Sequence, residues 1–293
     1  HTKLASELKQ FIDQAKIQKR QTSNVLSLVQ PTRELEGILE ASQPKLRMAD
    51  LTFSEQQRLI FGRLIREYKQ QDKLRSHNLE PRRKLLLYGP PGTGKTATAS
   101  ALAHELKLPL FTIRLDGLIT KFMGETASKL RLIFESLRTT KGLYFFDEFD
   151  AIGKERDDRG EHGELRRVVN AVLQMMDSYQ GKSLILAATN HEHILDSAIW
   201  RRFDESIEFS MPSALQIQGL LKLKLRGVRR HFELDDKELV KLFAARSGAD
   251  IERIVRRAVK RMLLRGQEFL ALQDLQRASE RERKDMLNKV LLI

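Results

Sequence analysis

LLLYGPPGTGKTATA, Leu85 to Ala99, runs from four apolar residues into a loop of glycines and prolines and then into alanines that favour a helix. Gly89, Gly94, Lys95 and Thr96 satisfy the pattern G-x-x-x-x-G-K-[ST], with a predicted strand before it and a predicted helix after it. The loop itself is Gly89, Pro90, Pro91, Gly92, Thr93 and Gly94, with Lys95, Thr96 and Ala97 opening the helix. Glycines let backbone N–H groups turn inward around phosphates, and the start of the helix adds partial positive charge. Lys95 is expected to reach β- and γ-phosphates, and Thr96 to place its hydroxyl on Mg²⁺. A tight Gly-Pro turn before a helix is the plainer alternative, and the strand and helix in the right places weigh against it.

A phosphate loop alone does not distinguish a kinase from a hydrolase. GLYFFDEFD, Gly142 to Asp150, is an apolar strand ending in two adjacent carboxylates, Asp147 and Glu148. At a strand end the two can point differently. Asp147 is expected to hold Mg²⁺, and Glu148 to orient or deprotonate an attacking water. A nucleotide and Mg²⁺ are therefore the expected ligand and ion.

Working outward, short apolar runs alternate with amphipathic helices from Lys84 to about Ser210: LLLYG, LFTIRL, GLYFFD, SLILAATN and SIEFS. That alternation predicts a P-loop α/β fold, a parallel sheet sandwiched by helices. After Pro212 the strand signals stop, and the spacing predicts helices over 215–226, 236–245, 250–266 and roughly 271–288, a small all-helical lid domain. Three regions result: a helical lead-in over 1–76, with breaks at Pro31 and Pro44, an α/β domain over 77–211, and the lid over 212–293. The chain opens on His1 with no signal-peptide-like apolar core, so a trimmed start is expected.

There are no cysteines, which removes disulfides, thiol nucleophiles and zinc–thiolate sites. A cytoplasmic setting and no membrane association are expected, since no apolar run approaches the ~18 residues a span needs. The net charge of +13 is compatible with nucleic acid, an acidic protein surface or plain solubility. Its densest stretch, Arg253 to Arg265, has helical spacing and reads as a solvated helix face.

GPPGTGKT, FFDEFD, AATN and RRFD, in this order and spacing, resemble the AAA family of ATPases, ring-forming machines of the wider AAA+ class. The resemblance covers about Leu85 to Ala258. It implies a polar sensor at Asn190, which would bond the attacking water or the γ-phosphate; an Asn capping the next turn is the alternative. It implies that Arg201 and Arg202 reach a neighbouring subunit's nucleotide. The commoner family pattern separates these arginines by Pro-Gly, and here they are adjacent, which leaves open which one makes the contact. SGADIERIVRRA resembles the lid motif whose Gly-Ala pair, here Gly248 and Ala249, packs near the adenine. No second sensor arginine is assigned. His191 and His193 form an H-x-H beside Asn190, with no third ligand suggested.

Lys121, Phe122, Met123 and Gly124 match the family's first pore loop, and 157–164 stands where the second is placed. The resemblance implies a Phe-Met pair gripping extended polypeptide of almost any sequence, since side-chain burial needs no particular hydrogen bonds. A core position for Phe122 is the alternative. The expected function is an ATP-hydrolysing remodeller or unfoldase, a ring homo-oligomer, hexameric in the family, that threads a protein substrate. A nucleic-acid-dependent ATPase or loader is the competing reading, and an ATP-binding switch a third. More locally, DGLITKFMGETASKLR and GELRRVVNAVLQMMDS resemble prokaryotic single-ring AAA proteins encoded beside a subtilisin-like serine protease, some linked to antiviral defence. That resemblance implies a protease partner; no Ser-His-Asp arrangement is visible here.

Overall fold

The computed structural model describes residues 35, 38–115, 118, 125–152 and 162–290. Its centre is a six-stranded sheet: β1 (Leu39–Ser42), β2 (Lys84–Tyr88), β3 (Leu110–Arg114), β4 (Leu143–Asp147), β5 (Leu184–Thr189) and β6 (Glu205–Glu208), in the order β1-β3-β4-β5-β2-β6. All pairings are parallel except β1 on β3. Alternation of side chains sorts each strand onto two faces. Leu86, Tyr144, Phe146, Ile185 and Ala187 pack on one, with α4 (Thr126–Thr139) and α5 (His162–Asp177). Leu85, Leu87, Leu143, Phe145, Leu184 and Leu186 pack on the other, with α1 (Glu55–Lys69) and α3 (Lys95–Glu105). Near-continuous apolar runs such as LILAAT follow from burial on both sides, each large side chain contributing about 1.5–3 kcal/mol.

The central strands β4, β5 and β2 are parallel neighbours, so their carboxyl ends open on one edge. Tyr88 stands beside Thr189, and Phe146 beside Ala187. The helix after β2 covers one face while those after β3 and β4 cover the other, and ligands of such sheets sit at this change of side.

β1 was not legible in the lead-in. Leu39 pairs with Ile113 and Ser42 with Leu110, and Leu39 is buried. Four residues, LEAS, carry too little pattern to announce a strand; the open edge of β3 selects it. α1, preceded by a capping box between Ser54 and Gln57, buries Phe61, Leu64 and Tyr68 against the sheet. A short α2 (Gln71–Arg75) follows it.

After α6 (Ser197–Trp200) and β6 come α7 (Ala214–Lys224), α8 (Lys237–Phe243), α9 (Gly248–Leu264) and α10 (Leu272–Val290). They enclose a separate core of Ile217, Leu221, Leu239, Phe243, Ile254 and Leu275. Capping boxes at Ser213 and Ser247 fix the starts of α7 and α9.

Candidate active site

The turn after β2 depends on Gly89. Its φ is +129°, and a Cβ there would lie 2.3 Å from the Phe209 carbonyl oxygen, so only glycine fits. Gly94, at φ +106°, then starts α3. Inside this loop Lys95 is only 6% exposed, and its ammonium donates to the carbonyls of Gly89 and Pro90. Burial lowers its pKa to about 8, against the opposing pull of Asp147, Glu192 and Asp150. Thr93 braces the loop by donating to the Pro90 carbonyl at 2.8 Å.

Thr96, exposed at the start of α3, donates to Asp147 Oδ2 at 3.4 Å. Asp147 Oδ1 accepts the Glu148 N–H at 3.0 Å. Burial raises the Asp147 pKa, and the Glu148 amide, Thr96, Arg114 and Lys95 oppose it. A hydroxyl beside a carboxylate, both hard oxygen donors, fits Mg²⁺, which keeps most of its waters and takes few protein ligands. Glu148 is exposed at φ +54°, a left-handed conformation that costs a non-glycine residue about 1–3 kcal/mol and often marks functional turns.

Asp150, two residues on, is 3% exposed. Its Oδ1 accepts from the Thr189 hydroxyl at 3.1 Å and the Asn190 N–H at 3.4 Å. It therefore fastens the end of β4 to the end of β5, where Asn190 sits. Sequence reasoning stopped at the two carboxylates of FFDEFD, although the third was in the same motif.

The lid reaches the loop directly. The Ala249 N–H donates to the Gly92 carbonyl at 3.0 Å, and a Cβ on Gly92 would come within 2.7 Å of Ser247 Oγ. Gly248 also lies against this carbonyl, as the space around it shows. Near Leu51, where no sharp motif stood, Leu51 packs on the sheet core while Thr52 approaches Gly219 of α7.

Arg201 and Arg202 part company. Arg202 is held by Asp177 of α5 at 3.0 Å and by the Ala198 carbonyl at 2.6 Å. The Arg201 side chain is exposed and makes no hydrogen bond or salt bridge among the described residues, though its charge helps hold the Asp196 carboxyl below its usual range. The expected pore-loop residues Lys121, Phe122 and Met123 lie outside the described residues, as do 153–161. His191 and His193 meet ring edge to face at 5.8 Å, and among the described residues no group of three or more His, Asp or Glu could hold a metal ion.

Residues 85–211, from β2 to just past β6, match the family model for the ATPase family associated with various cellular activities (AAA). A relative from Sinorhizobium fredii, the uncharacterized AAA family ATPase y4kL, is 41% identical over 244 residues, covering 83% of this chain and 73% of its own length. The chain belongs to the AAA family of ATPases. An ATP-dependent zinc metalloprotease FtsH from Helicobacter felis is 32% identical over 253 residues, 83% of this chain and 40% of that protein. A putative 26S proteasome regulatory subunit homolog from Methanothermobacter marburgensis is 36% identical over 185 residues, 62% of this chain and 50% of the relative. The chain thus spans half or less of the length of these two. As an AAA protein it is an ATPase. Among the described residues no helix is long and apolar enough to cross a membrane.

Proposed function

We propose that this AAA ATPase acts as a ring of identical subunits, hexameric in the family, that uses ATP hydrolysis to remodel or unfold polypeptide in the cytoplasm. The observation that carries it is the division of labour at the site: Lys95, Thr96, Asp147 and Asn190 gather in one subunit, while the Arg201 side chain stands exposed with no hydrogen bond or salt bridge among the described residues. In this reading residues 77–211 bind and hydrolyse ATP, and 212–293 close over it. The loop amides from Gly89 to Gly94, with Lys95, hold the phosphates; Gly248 and Ala249 line the nucleotide from the lid. Thr96 and Asp147 hold Mg²⁺, which neutralises phosphate charge when bound. Glu148 takes the proton of the attacking water, and Asn190 orients it. Arg201 of a neighbouring subunit meets the charge developing on the γ-phosphate, since a planar guanidinium suits that role. Arg202, already held by Asp177, keeps the turn in place.

The similarity to FtsH and to a proteasome regulatory subunit homolog supports polypeptide as the substrate, with Lys121, Phe122 and Met123 gripping it. A subtilisin-like protease partner and a role in antiviral defence rest on the local sequence resemblance. The second reading, nucleic-acid-dependent ATPase activity, is favoured by the charge: residues 212–293 hold nineteen Lys and Arg against eleven Asp and Glu.

Glu148→Gln separates these readings. The variant is expected to bind Mg²⁺-ATP and stall, retaining protein that mass spectrometry identifies and that Phe122→Ala releases. Retention of nucleic acid alone, or retention indifferent to Phe122, overturns the threading reading.

A further inference from the structure

Trp200 is the only tryptophan of the chain, and its ring meets Tyr88 edge to face, with centroids 5.1 Å apart and planes at 77°. Each ring ends an element that leads into the site. Tyr88 closes β2 and the next residue is Gly89, first of the phosphate loop. Trp200 closes α6 and the next residue is Arg201. A single aromatic contact therefore joins the residue before the phosphate loop to the residue before the exposed arginine.

The backbone on each side is tightly held. Tyr88 lies in register with Thr189 on β5 and Glu208 on β6, and its carbonyl accepts the Phe209 N–H at 2.7 Å. α6 is capped by Asp196, whose carboxylate accepts the Ala198 N–H at 3.0 Å, and the Arg201 N–H continues its hydrogen bonding to Ser197. Arg202 ties the far side of the turn to Asp177 on α5. The turn is gripped at Trp200 and at Arg202, with Arg201 between them. An edge-to-face aromatic pair has a preferred geometry that an aliphatic residue at position 200 would lack, so a change in one ring's placement favours a matching change in the other.

We propose that Trp200 is a positioning residue that couples occupancy of a subunit's own phosphate loop to the placement of Arg201 toward the neighbouring subunit's ATP. This rests on the reading of Arg201 as a trans contact. ATP on the loop changes the setting of the Tyr88 side chain, whose backbone stays in the sheet; the paired Trp200 carries that change into the arginine turn. Hydrolysis in one subunit thereby depends on whether the arginine-donating neighbour is loaded.

The test uses co-assembled variants. Trp200→Leu is expected to lower kcat about tenfold or more, as sub-ångström misplacement of a catalytic group does, with little change in KM for ATP. Mixed with Glu148→Gln, itself inactive, it should regain turnover, because a Trp200→Leu subunit keeps its own Lys95, Asp147 and Glu148 and receives Arg201 from an intact neighbour. Arg201→Ala mixed in the same way is the control. Tyr88→Leu should show the same rescuable defect, and Trp200→Phe should remain close to wild type. Without co-assembly, Trp200 emission in Glu148→Gln should change on ATP addition, and lose that response with Tyr88→Leu. If Arg201→Ala is rescued and Trp200→Leu is not, Trp200 acts within its own subunit and the coupling is wrong. If Arg201→Ala is not rescued, the trans reading falls and takes the coupling with it. Full activity of Trp200→Leu also overturns the proposal.

Discussion

Lys95 shows how much of a single residue's state lies beyond its motif. The pattern GPPGTGKT says that a lysine belongs here, and the fold adds that it is buried on two loop carbonyls with its pKa lowered from 10.5 to about 8. Above pH ~8 the folded chain has shed a proton that the unfolded chain keeps up to its ordinary lysine pKa, so stability rises with pH across that window and the penalty is complete below it. In the proposed role, contact with a nucleotide phosphate restores the charge. Binding of Mg²⁺-ATP at pH 8 should therefore take up protons, an uptake that fades as the pH falls below the Lys95 pKa. Calorimetric titration in Tris and in HEPES buffer measures this; equal heats in the two buffers at pH 8 contradict it. The loop residues and the Asp147–Glu148 pair were legible as candidates from residue type and spacing, and Asn190 only through the family resemblance. The difference between Arg201 and Arg202 was not, because it is set by Asp177, which lies far away in sequence and close in space.

Among the elements, the ends of β4 and β5 are joined by a buried carboxylate. Asp150 accepts from Thr189 and from the Asn190 N–H, so the strand bearing Glu148 and the strand bearing Asn190 hold a fixed offset. Asp150→Ala leaves the buried Thr189 hydroxyl without this acceptor and should cost about 1–3 kcal/mol of stability. It should also lower kcat while leaving KM for ATP nearly unchanged, since the phosphate loop is untouched. Thermal unfolding and steady-state kinetics check both, and a variant as stable and active as wild type contradicts the assignment. The central strands β2, β4 and β5 could be read from sequence because burial on two faces writes apolar runs, while the edge strand β6 was legible only as the short SIEFS before Pro212. β1 could not, because an edge strand of four residues borrows its conformation from its partner β3.

On the scale of the molecule, two cores sandwich one sheet and a third holds the lid together, with the Gly92 carbonyl and the Ala249 N–H meeting where the lid touches the loop. The charge divides unevenly between these parts. Residues 85–211 hold sixteen Lys and Arg against eighteen Asp and Glu, so the surplus lies in the lid and in the segment before the phosphate loop. Helical spacing announced the lid; its approach to Gly92 is a tertiary contact that no local pattern encodes.

The central claim is that each ATP site is completed by a neighbour's Arg201. ATP turnover per chain, measured across protein concentration alongside mass by light scattering, tests it most directly. Turnover should rise with concentration in step with assembly, and Arg201→Ala should abolish it while assembly and ATP binding persist. Full turnover by dilute monomers, or by Arg201→Ala, would contradict the account.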